Sequence, residues 1–133
     1  MDDRSIALAR TCLDAAETGT MTFPEIVAAL MAGGFESYAV DFRRAAATYY
    51  RPDGDSAELP MPAHAAPVAA TFQAGAIQEA IGEAQRLAPG YTYRGFCGKV
   101  TAAGCAGYMV SFLGRRAVYY GRTGETHVEP FPD

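Results

Sequence analysis

A chain of 133 residues, half of them hydrophobic, is long enough to bury a core without staples and short enough to form one domain. Eleven basic and 15 acidic residues leave a net charge of -4 with no basic run, which argues against a nucleic-acid partner. Three cysteines, Cys12, Cys97 and Cys105, form no Cys-x-x-Cys pair and the two histidines do not cluster, so neither a disulfide framework nor a structural zinc site is expected.

The chain starts "MDDRSIALAR", acidic at once and without an apolar stretch of signal-peptide length, and no later run approaches a membrane span. The expectation is a soluble cytoplasmic protein with reduced thiols, no membrane partner and no cofactor.

Residues 3–17 place Ile6, Ala9, Leu13 and Ala16 on one helical face. A second helix opens at "TFPE", where Thr22 can cap the backbone amides, Pro24 suits the first turn and Glu25 completes a capping box; Gly33 and Gly34 end it. The period then becomes two. Tyr38, Val40 and Phe42 alternate along one strand face, "RRAA" turns into a strand holding Tyr49 and Tyr50, and "RPDGD" turns into a third. Pro60 and Pro62 suit only a strand end or an exposed edge. A Pro/Ala-rich connector over residues 60–72 follows, with room for one short strand and with His64 as a solvated loop residue.

The succession then repeats. Shifted by 70 positions, residues 22–62 match residues 92–132 at twelve identical pairs, among them Gly34/Gly104, Tyr38/Tyr108, Val40/Val110, Phe42/Phe112, Tyr49/Tyr119, Tyr50/Tyr120 and Pro60/Pro130. Unrelated stretches of that length would share about two or three. Upstream, an offset of 71 pairs Ile6 with Ile77, Ala9 with Ala80 and Gly19 with Gly90. The predicted fold class is α+β, an internal duplication of a helix-helix-strand-strand-strand unit. Its two pseudo-symmetric halves, about 1–62 and 74–133, would form a single domain with a mostly antiparallel six-stranded sheet and the helices on one side. In "TYRGFCGKV", Cys97 groups with Phe96 and Val100 as a core residue, and Cys105 takes the place of Phe35.

Adjacent tyrosines on a strand point to opposite faces, so one of each pair should pack and the other present its hydroxyl on the far face. They serve as core and interface, or they line a ligand site at the pseudo-axis, through Tyr49 and Tyr119 or through Tyr50 and Tyr120. Arg122 and Arg51, near the hairpin turns, could hold an anion or stay solvated. Gly121 and Gly124 have the spacing of a phosphate loop, but no helix follows them.

The last strand, "GETHVEPFP", alternates Glu125, His127 and Glu129 on one face. Two carboxylates flanking an imidazole could hold a divalent metal or orient a general base. The same alternation marks the wet face of an edge strand. The first-half equivalents are Asp55, Ala57 and Leu59, so the copies differ here.

Together "AIGEAQ", "YRGFCGKVTAAGCAGYMV" and "VYYGRTGETHVEPFP" resemble the YbcV-like family of uncharacterised bacterial proteins, often labelled phage envelope protein-like, most strongly over residues 77–132. The resemblance implies a bacterial protein and carries over no activity, cofactor or catalytic residue. The expected function is a small non-enzymatic ligand-binding or interaction module. The alternatives are a metal-assisted or acid/base enzyme on Glu125, His127 and Glu129, and a structural protein, such as a homodimer.

Overall fold

In the computed structural model, which describes residues 1–63 and 66–132, each half runs helix, helix, strand, strand, strand. The first contains α1 (Asp3–Thr18), α2 (Phe23–Ala32), β1 (Ser37–Asp41), β2 (Ala46–Tyr50) and β3 (Ser56–Pro60). The second contains α3 (Ala74–Gln85), α4 (Tyr93–Ala102), β4 (Cys105–Ser111), β5 (Arg116–Gly121) and β6 (Thr126–Pro130).

Local chemistry sets the helix ends. Asp2 caps α1 by accepting from the Ser5 amide at 2.8 Å. At α2 the box is complete: the Glu25 amide donates to Thr22 Oγ1, and the Thr22 amide donates to Glu25 Oε1 at 2.9 Å. Thr92 caps α4 in the same way through the Gly95 amide, but glycine stands where the reciprocal carboxylate would be. The α4–β4 turn passes through Gly104 at φ 90°, and a Cβ there would collide with the backbone of Thr71.

All six strands are antiparallel, in the order β3-β2-β1-β4-β5-β6. The central pair joins the two halves. Ala39 lies opposite Met109, its own equivalent, with Tyr38 opposite Val110 and Val40 opposite Tyr108, so the pseudo-two-fold axis passes between Ala39 and Met109. One sheet face is covered by the helices. There Tyr38, Val40, Ala47 and Tyr49, with Tyr108, Val110, Ala117 and Tyr119, pack against Leu13, Leu30, Ile77, Phe96 and Val100. A row of tyrosines crosses four strands, with ring centroids 5.5 Å apart for Tyr49–Tyr38, 6.3 Å for Tyr38–Tyr108 and 5.1 Å for Tyr108–Tyr119. Each such pair contributes about 0.5–1.5 kcal/mol beyond its burial.

The connector departs from expectation. Pro60 closes β3, and the described residues between β3 and α3 form no strand. Two of its amides donate instead to the last turn of α4, Ala69 to Thr101 O and Gln73 to Ala103 O, which satisfies carbonyls that the helix leaves open. His64 lies outside the described residues. No helix among the described residues is long and apolar enough to cross a membrane.

Candidate functional site

The third strand of each half carries the largest chemical difference between the copies. In the β5–β6 ladder His127 lies opposite Tyr119, and Glu129 opposite Ala117. Partners in a ladder share a face, so both polar residues point to the helix-covered side. The wet-face reading of this strand is therefore corrected: alternation separates two faces, and the hairpin register turns the polar one inward. His127 and Glu129 keep side-chain exposures of 17% and 22%, and His127 Nε2 is 3.0 Å from Glu129 Oε1. Glu125 does not join them. It precedes β6, is exposed, and accepts from the Thr123 hydroxyl at 2.8 Å. Among the described residues, no group of three or more His, Cys, Asp or Glu side chains could hold a metal ion.

The polar change spreads beyond one strand. At an offset of 70, Ala57, Leu59, Met21, Phe23 and Val27 correspond to His127, Glu129, Tyr91, Tyr93 and Cys97. The Tyr93 and Tyr108 hydroxyls share a hydrogen bond of 2.7 Å, and burial raises both phenols well above their ordinary range. Burial likewise pushes the Cys97 thiol up to about 12, which removes it as a nucleophile at neutral pH. Sequence reasoning missed Tyr91 and Tyr93. The signal was there in the aligned copies, at positions that differ in polarity.

The tyrosine pairs divide as strand geometry requires. Tyr49 and Tyr119 are core residues, while Tyr50 is exposed on the open face. Tyr120 lies across Gly107, its hydroxyl taking the space that a Cβ would need. The first-half counterpart of Gly107 is Ser37, directly opposite Tyr50, so that ring has no such bed. Neither pair meets at the pseudo-axis. Tyr38 and Tyr108 fill that place on the covered face.

A cleft of about 580 Å³ opens at the seam of the two halves. Phe42, Arg43 and Ala45 come from the β1–β2 turn, Pro67 and Val68 from the connector, and Arg122 from the β5–β6 turn. Arg122 Nη1 donates to Val68 O at 3.1 Å, which fastens the connector. Among the described residues Arg43 has no ion-pair partner. The equivalents of Arg43 and Arg122 are Leu113 and Pro52, so this pair of cations belongs to one end of the sheet only. A smaller cavity of about 110 Å³ between α3 and α4 contains Lys99, but Glu83 holds that cation at 2.9 Å.

No protein-family model and no curated protein matches the chain, so geometry alone carries the functional reading.

Proposed function

We propose that the protein is a non-enzymatic small-molecule-binding module whose ligand is a small amphiphilic anion held in the seam cleft. The observation that carries this reading is the pair of arginines, Arg43 and Arg122, in an otherwise apolar cleft to which both halves contribute. Phe42, Ala45, Pro67 and Val68 offer apolar surface to a hydrocarbon or aromatic body, and the guanidinium groups favour a carboxylate or phosphate head. His127 and Glu129 do not line this cleft, so the acid/base pair and the anion site do not combine. A cytoplasmic setting and a YbcV-like affiliation belong to the same proposal, the first supported by three free, buried cysteines.

Thermal-shift titration with octanoate, benzoate and neutral octanol tests it, because a ligand bound only by the native state raises Tm. The carboxylates should raise Tm saturably, octanol should not, and Arg43→Ala should remove most of the rise. An equal response to octanol, or an unchanged response in Arg43→Ala, would discard the seam cleft as the site.

A further inference from the structure

We propose a second binding site, for a protonated amine, in the niche beside the sheet edge where Tyr91, Tyr119, His127 and Glu129 converge. Four observations support it, and none depends on the seam cleft.

The first is an unpartnered hydroxyl. Tyr119 is 93% buried, being 7% exposed, and its hydroxyl has no hydrogen-bond partner among the described residues. Buried polar groups are almost always bonded, and no wholly buried side-chain oxygen or nitrogen of the described residues is left unpaired. The Tyr119 hydroxyl is therefore not wholly enclosed and is accessible to water or a small polar group. It lies within the electrostatic reach of Glu129 and Tyr91.

The second is the sign of the polar atoms. A carboxylate can only accept, so the contact between His127 and Glu129 makes Nε2 the donor, and in the neutral ring Nδ1 is then an acceptor. With that neutral ring, the remaining lone pairs of an ionised Glu129, Nδ1 and the phenol oxygens together form an acceptor-rich lining with one negative charge. An anion is repelled there. An ammonium group brings one positive charge and up to three donors.

The third is the absence of a three-ligand group among the described residues, which disfavours a divalent metal relative to an organic cation. The fourth is the internal control. The first half builds the same place from Ala57, Leu59, Met21 and Tyr49, so the fold itself does not require the polar set. Partly burying a carboxylate and an imidazole is unfavourable compared with that apolar solution, and ligand binding accounts for keeping them.

The test uses the full chain with butylammonium chloride, against sodium chloride at equal ionic strength and against zinc chloride. Calorimetric titration and thermal shift are read on the parent and on Glu129→Leu, Tyr119→Phe and Arg43→Ala. Glu129→Leu installs the residue that the first half already carries, so it should fold, and far-UV circular dichroism checks that it does. The expected result is saturable butylammonium binding, weakened at least about tenfold in Glu129→Leu, less in Tyr119→Phe, and unchanged in Arg43→Ala. The proposal is overturned if the parent does not bind, if sodium chloride gives the same shift, or if Glu129→Leu binds as well as the parent. Zinc binding that replaces amine binding and is lost in His127→Ala would also overturn it, in favour of a metal. Should Glu129→Leu fail to fold, Tyr119→Phe carries the decision: undiminished binding there rejects the site.

Discussion

Cys97 has no exposed surface and is hydrogen-bonded to Tyr93, and burial holds its thiol at about 12. Cys105, equally enclosed, is pushed up to about 11, and burial raises Cys12 as well. The thiolate is the reactive form, so burial protects these residues twice, by blocking access and by keeping the proton on sulfur. A disulfide-exchange reagent at about pH 8 should label none of the three in the native protein and all three after denaturant is added. Rapid labelling of any one in the folded state would contradict its burial. The same residue-scale logic gives Tyr119 its place in the proposed amine site: a phenol that stays protonated can both donate and accept, but its hydroxyl has no hydrogen-bond partner among the described residues to do either with.

At the scale of elements, the two first hairpins of the halves share an unusual turn. Ala45 and Arg115, equivalent in the duplication, adopt φ of 52° and 51°, in the left-handed region that disfavours a side chain. The turns are held by Asp41 Oδ1, which accepts from the Arg43 and Arg44 amides, and by Ser111 Oγ, which accepts from Gly114. Ala45→Gly should therefore stabilise the protein by about 0.5–1 kcal/mol, the strain relieved outweighing the extra freedom that glycine has when unfolded. Denaturant titration reads the change, and a lower midpoint would show that the turn is unstrained. Arg115→Gly is a less clean test, because the Arg115 guanidinium lies 5.6 Å over the Phe131 ring.

The whole molecule is closed by contacts that neither half has alone. β1 pairs with β4 across the pseudo-axis, the core runs through both halves, and Arg94 of α4 meets Glu17 of α1 at 2.6 Å. A fragment of residues 1–62 would expose β1 as an apolar edge, and its natural partner is a second copy of itself paired about Ala39. Its melting temperature should rise with protein concentration, as for an obligate dimer, and a folded fragment monomeric at all concentrations would refute this. The native edges are better protected. The Met61 and Phe131 amides donate inward, to Ala45 O and Arg115 O. Because amides alternate along a strand, Pro60 and Pro130, the last residues of β3 and β6, occupy outward positions where a donor would otherwise face solvent. That weighs against a structural role built on edge-to-edge pairing.

The duplication, the helix caps and the alternation of Tyr38, Val40 and Phe42 were legible in the amino-acid sequence, because self-similarity and periodicity are properties of neighbouring residues. So was the division of each tyrosine pair between two faces. Which face the helices would cover at β6 was not legible: Glu125, His127 and Glu129 alternate equally well on a wet strand, and only the register of His127 against Tyr119 turned two of them inward. The meeting of Arg43 with Arg122 was equally hidden. It depends on how two halves dock and on where the connector crosses the seam, and those are set by long-range packing that no local pattern records.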